Sequence, residues 1–97
     1  AWAKTLAGEV AANGVTVNTL LPGRIDTPRI ERLDAARAAA TGVEPAEARA
    51  ESVKTIPAGR IGTTEEFGAV AAFLASPLAG YVTGSLIRVD GGAVKAV

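Results

Sequence analysis

The sequence predicts an α/β fold built on a parallel pair of strands, and three observations carry that reading. Helical and strand patterns alternate along the 97 residues in the order helix, strand, two helices, helix, strand. The two strand candidates are separated by a long helical stretch, which is the crossover a parallel pair requires and a hairpin does not. Leu20 and Leu21 break the apolar alternation of the first strand, as expected where a parallel strand is buried on both faces.

The elements follow in order. Trp2, Leu6 and Val10 recur every fourth residue with Ala3 and Ala7 beside them, one apolar face of a helix closed by Asn13-Gly14. No N-cap precedes this helix, so it is expected to begin at or before Ala1. Val15 to Leu21 is short, β-branched and bounded by Gly14 and Pro22, and reads as the first strand. Arg29 to Thr41 is an Ala- and Arg-rich helix closed by Gly42, and Pro45 opens another that runs to about Thr55 before Pro57. Ile30 and Leu33 are the only large apolar residues of the former. Both are therefore expected to be surface helices, a cover and not a core.

Thr63 and Glu66 have the spacing of a capping box, and Phe67, Val70, Ala71 and Leu74 form the buried stripe of the helix they open. Pro77 ends it. Ser85 to Val89 reads as the second strand, followed by an Asp90-Gly91-Gly92 turn. Two strands alone leave faces and edges uncovered, so the sequence describes the edge of a larger sheet.

Composition removes several functions. Ten basic residues balance ten acidic ones, and four aromatic residues make no stacking platform, so nucleic acid is not an expected partner. There is no His, Cys or Met, which leaves only carboxylates as metal ligands, and no acidic loop clusters them. The commonest general base and the strongest nucleophile are absent with them. No apolar run reaches the ~20 residues that span a bilayer. A cytosolic location is the default expectation.

One stretch stands out. "TLLPGRIDTPRI", Thr19 to Ile30, places Pro22-Gly23 at the carboxyl end of a parallel strand, where open α/β sheets bind ligands. Gly lets a ligand approach the backbone, Pro fixes the turn, and Thr27 adds a hydroxyl. Local pattern by itself favours a plain turn, with Thr27 capping the next helix. Glu44, Glu47, Glu51, Glu65 and Glu66 read as solvated faces, and Tyr81 as a packing residue. Gly62, Gly80, Gly84, Gly91 and Gly92 form no phosphate-binding motif and read as turns.

Together these segments resemble the C-terminal third of a short-chain dehydrogenase/reductase, in particular the 3-oxoacyl-acyl-carrier-protein reductase-like members. "LAGEVAANGVTVNTLLPGRIDTP" looks like that family's helix, strand and Pro-Gly loop. "IPAGRIGTTEEFGAVAAFLASPLAGYVTGSLIRVDGG" looks like its closing helix, Tyr-x-Thr-Gly turn, last strand and Asp-Gly-Gly. The resemblance implies the C-terminal part of a Rossmann-type doubly wound sheet, with residues 1–97 forming one segment of it and residues 28–56 a substrate lid. It also implies that Pro22 and Gly23 lie under the nicotinamide of NAD or NADP. The Ile25 backbone would bind the carboxamide, and Thr27 would reach the carboxamide or the pyrophosphate. Asn18, Arg60, Thr83, Gly84, Asp90, Gly91 and Gly92 look structural.

The family's Gly-rich dinucleotide loop, its Asn-Ala-Gly strand end, its catalytic Ser and its Tyr-x-x-x-Lys pair have no counterpart here, so no catalytic residue is assigned. Lys4 lies too late on its helix, and Tyr81 is in the wrong motif. Two functions follow. In the first, this is a segment of an NAD(P)-dependent oxidoreductase acting on a small carbonyl, alcohol or acyl substrate, inactive as 97 residues alone and homo-oligomeric in the complete enzyme. In the second, it is an inactive product that self-associates or binds a partner.

Overall fold

In the computed structural model, which describes residues 2–94, the chain runs α1 (Trp2–Val10), β1 (Thr19–Pro22), α2 (Pro28–Thr41), α3 (Pro45–Val53), α4 (Thr64–Leu74) and β2 (Leu86–Val89). Short 3-10 turns follow α1 at Ala11–Asn13 and α4 at Pro77–Ala79. The expected start of the first helix at or before Ala1 lies outside the described residues. Among those residues, no helix is long and apolar enough to cross a membrane.

β1 and β2 pair in parallel, with Thr19 opposite Leu86 and Pro22 opposite Val89. The crossover between them contains α2, α3 and α4. This is the α/β arrangement expected from the order of the elements.

The strands are shorter than the sequence indicates, and the cause is visible on both. Val15 to Asn18 do not join the ladder, because β2 begins only after the left-handed Gly84 turn, at φ 71°. Side chains bridge the gap instead. The Val17 N–H donates to Thr83 Oγ1 at 3.0 Å, Asn18 Nδ2 donates to the Val82 carbonyl at 3.0 Å, and Asn18 Oδ1 accepts from the Ser85 N–H at 3.1 Å. The expectation that the first strand is buried on both faces is corrected as well. Leu21 and Pro22 are exposed and Thr19 and Leu20 half-buried, because among the described residues no layer covers that face.

Helix ends behave as the sequence indicates. Gly14 closes the 3-10 turn that extends α1, and Gly42 closes α2, both in left-handed conformation, where a side chain would be strained. Glu44 stands at the N-cap of α3 without a capping hydrogen bond. At α4, Thr63 Oγ1 accepts from the Glu66 N–H at 3.1 Å and Glu66 Oε1 accepts from the Thr63 N–H at 2.9 Å, so the box closes. α3 stops two residues before Thr55, and its last turn gives way to bonds from Thr55 N–H to Ser52 O and Ile56 N–H to Val53 O.

Arg60 strengthens the α4 start by a two-pronged contact, Nη1 and Nη2 each 2.7 Å from the Glu66 carboxylate. That hydrogen bond from Arg60 is the first cause, and the Thr63 N–H the second, that lowers the Glu66 carboxyl from 4.5 to about 2. A folded-state value below the unfolded one stabilises the fold above pH 4.5, and the contribution disappears as pH falls through about 2. Glu66→Gln keeps a capping-box side chain but not the charge. Its denaturation midpoint should therefore change less than the parent's between pH 5 and pH 2, as urea titrations at both pH values would show.

The core lies elsewhere than the sequence indicates. Ile30 and Ala38 of α2, Ala48 of α3 and Ile56 after it are buried, so the α2–α3 hairpin is packed against itself and is more than a cover. The α1 and α4 stripes are right in position but poorly buried: Phe67, Val70, Ala71 and Leu74 are half-buried, and of α1 only Ala7 is buried, while Trp2 is exposed. Tyr81 is fully exposed and does not pack, contrary to expectation. The chain measures 55 × 25 × 21 Å with a radius of gyration of 16.9 Å. A compact domain of 100 residues has about 13 Å.

Candidate functional site

β1 ends at Pro22, and the chain immediately meets the end of β2. Gly23 N–H donates to the Val89 carbonyl at 2.9 Å, continuing the ladder by one bond. A Cβ on Gly23 would lie 2.7 Å from both Cα and Cβ of Asp90. The glycine is therefore required by Asp90, a chain neighbour, where the sequence suggested a ligand. Asp90 in turn closes its turn by accepting from the Gly92 and Val94 N–H groups at 2.9 and 3.1 Å.

Two residues on, Ile25 forms an isolated parallel bridge with Gly62. Gly62 is thus not a turn, as expected, but a bridge residue whose missing Cβ would sit 3.0 Å from Ile25 Cδ1. The bridge uses the groups on either side of Ile25: Gly62 N–H donates to Arg24 O at 2.9 Å, and Asp26 N–H donates to Gly62 O at 2.8 Å. By the alternation of a parallel ladder, the N–H and C=O of Ile25 face away from Gly62. Among the described residues neither has a hydrogen-bond partner.

A cavity of about 320 Å³ opens beside this loop. Pro22, Gly23, Ile25 and Thr27 come from the loop, Arg29 and Ile30 from the first turn of α2, and Thr64 and Phe67 from α4. All four residues singled out by resemblance thus line one space. Pro28 at the first position of α2 starts that helix, with Thr27 at its N-cap by conformation. The Thr27 side chain makes no capping hydrogen bond, so the plain capping role is not what its hydroxyl does. The wall combines apolar Pro22, Ile25, Ile30 and Phe67 with the hydroxyls of Thr27 and Thr64 and the guanidinium of Arg29. Such a surface suits a flat apolar ring carrying an amide.

Arg29, Ile30, Thr64 and Phe67 were not legible as site residues. Phe67 reads as part of a buried helical stripe, and nothing in its spacing distinguishes the cavity wall from core. Arg24 and Asp26 were also missed as charged partners. Arg24 Nη2 donates to Asp34 Oδ1 at 2.5 Å, and Arg49 Nη2 donates to Asp26 Oδ1 at 3.2 Å. Separations of 10 and 23 residues follow no helical or strand period, so no sequence signal reveals them.

The chain is similar to known reductases across nearly its whole length. A family described as enoyl-(acyl carrier protein) reductase matches residues 1–94. The short-chain reductase protein NovJ of Streptomyces niveus is 41% identical over 91 residues, which are 94% of this chain and 33% of that protein. The 3-oxoacyl-[acyl-carrier-protein] reductase FabG of Vibrio cholerae gives the same figures, 41% identity over 91 residues, 94% and 33%. Among solved structures, YwfH, described as an NADPH-dependent reductase involved in bacilysin biosynthesis, superposes with a TM-score of 0.90 at 35% identity, covering 99% of this chain and 36% of that one. The chain spans about a third of the length of these relatives.

Proposed function

The chain belongs to the short-chain dehydrogenase/reductase family, and from that premise we propose that residues 1–97 are the C-terminal segment of an NAD(P)-dependent oxidoreductase domain. That enzyme would reduce a carbonyl or oxidise a secondary alcohol on a small or acyl-carried substrate. The Pro22–Thr27 loop would hold the nicotinamide end of the cofactor, and residues 28–56, with the α2–α3 hairpin, would be the substrate lid.

The N–H and C=O of Ile25, which no described residue pairs, carry the reading. A carboxamide has one donor face and one acceptor face, and a peptide that offers the complementary pair selects one orientation of the ring. Pro22, Ile25, Ile30 and Phe67 supply apolar contact for the ring, Gly23 contributes backbone to the wall, and Thr27 offers a hydroxyl that no described residue uses. When bound, the cofactor supplies the hydride. The residues of this chain bind it, orient it and keep water from one face.

No residue here is assigned a proton-transfer role, so we propose that the 97 residues alone do not turn over. The radius of gyration of 16.9 Å supports an incomplete domain in the same sense. A cytoplasmic enzyme that assembles from identical subunits is the form we propose for the complete protein.

Thr27→Val in the full-length polypeptide carrying these residues should weaken NAD(P)H binding roughly fivefold, about one neutral hydrogen bond. Fluorescence titration would measure it. Unchanged affinity would overturn the role of Thr27, and cofactor-dependent turnover by a homogeneous 97-residue chain would overturn the proposed inactivity of these residues alone.

A second reading rests on the exposure of Trp2, Phe73, Leu78, Tyr81 and Leu86. A catalytically inactive product with these apolar residues uncovered would pair with itself or with a partner. A well-folded monomer in native mass measurement would sink that alternative.

A further inference from the structure

Ile25 lies between a cation and an anion, and each reaches a different helix of the hairpin. Arg24 meets Asp34 of α2, and Asp26 meets Arg49 of α3. The polarity is opposite in the two pairs: the loop gives the cation to α2 and the anion to α3. On a third side the peptide groups flanking Ile25 are bonded to Gly62. The Ile25 peptide is thus fixed by both helices of the hairpin and by the segment that leads into α4.

The inner pair is the unusual one. Asp34 is only 4% exposed and lies on the buried row of α2, one turn from Ile30 and one from Ala38, a carboxylate between two apolar residues. Arg24 Nε and Asp34 Oδ2 are buried with no hydrogen-bond partner in the described structure. A single contact offsets the desolvation of two charges, which is a weak source of stability. What such a pair does supply is a fixed mutual position, because the buried Asp34 carboxylate would be left unpaired if Arg24, itself a quarter exposed, moved away.

We propose that Asp34 is a positioning residue that acts through Arg24 on the Ile25 peptide, so that the α2–α3 hairpin and the peptide facing the cavity move as one unit. The inference rests on the reading of this loop as the nicotinamide site. Asp34 does not line that cavity, and its effect is transmitted along the chain from Arg24 to Ile25. Movement of the hairpin as substrate enters would then be felt where the carboxamide is held. The outer pair, Asp26 with Arg49, is more exposed and adds a salt-sensitive second tie.

Hydrogen exchange by mass spectrometry on the full-length polypeptide tests this, with Asp34→Asn and Arg24→Lys as variants. Asp34→Asn should speed exchange about tenfold both in residues 28–41 and in the loop at residues 19–27, a factor of ten being about 1.4 kcal/mol of opening free energy. Residues 64–74 of α4 should be unchanged. Arg24→Lys, which keeps the charge, should retain most of the protection in both segments. Acceleration confined to α2 would overturn the coupling, and so would equal acceleration of α4, which marks general destabilisation.

NADPH titration of the same proteins separates the two readings. If the parent binds, Asp34→Asn should weaken affinity about fivefold, and an unchanged affinity would overturn the positioning role. A parent that does not bind NADPH overturns the nicotinamide reading, whereas the exchange data alone decide whether hairpin and loop are coupled.

Discussion

Gly23→Ala should lower stability by about 1–3 kcal/mol, the usual cost of forcing a methyl group into a filled space. The added Cβ would lie 2.7 Å from Asp90 Cα, an atom of the backbone that has no rotamer to move away. Relief would need separation of the loop from the end of β2, against the Gly23 N–H to Val89 O bond at 2.9 Å. Gly8→Ala is the control. Nothing lies within 4 Å of a Cβ there, and the residue is inside α1, so replacement should stabilise by about 0.5–1 kcal/mol. Denaturant midpoints of the two variants, made in the full-length polypeptide, should move in opposite directions. If Gly23 were needed only for ligand approach, its alanine variant would lose cofactor affinity with stability intact.

That distinction shows where sequence reading stops. A Pro-Gly pair after an apolar strand announces a turn and, by its position at the strand's carboxyl end, a ligand crevice. It does not say which neighbour occupies the space that glycine leaves. Here Asp90 does, from 67 residues further along the chain. The same limit applies to Gly62, which reads as a turn and is a bridge partner of Ile25.

Local chemistry was legible where it is local. The Thr63–Glu66 box, the Gly14 and Gly42 closures and the Pro45 helix start depend on residues within one turn of each other, and they form as the sequence indicates. Burial was less legible, because it depends on what packs from elsewhere. Leu20-Leu21 looks doubly buried, and Phe67 looks like core. The former is a half-exposed pair, and the latter borders a cavity. The hairpin erred in the opposite direction. Its small residues gave no apolar stripe, yet Ala38 and Ala48 are buried because alanine lets two helices approach closely.

The junction ahead of the sheet provides the second large effect. Asn18→Ala removes the donor to the Val82 carbonyl and the acceptor for the Ser85 N–H together, at 3.0 and 3.1 Å in the parent. Two hydrogen bonds at around 1 kcal/mol each put the expected loss at about 2 kcal/mol, and partial burial of both contacts keeps water from replacing them fully. Thr83→Val keeps the side-chain shape and removes only the acceptor for the Val17 N–H, so it should cost about 1 kcal/mol. The more telling quantity is the double variant. Val17 and Asn18 are adjacent, and their partners Val82, Thr83 and Ser85 flank the Gly84 turn, whose N–H donates to Val17 O at 2.7 Å. If this cluster is what starts the parallel ladder, losing one part frees the rest to separate. The paired loss should then fall short of the sum of the single losses by more than about 0.5 kcal/mol, beyond the scatter expected of independent sites. Simple additivity in denaturant titrations would instead mean that the Thr19 to Pro22 ladder holds its register without help from these side chains.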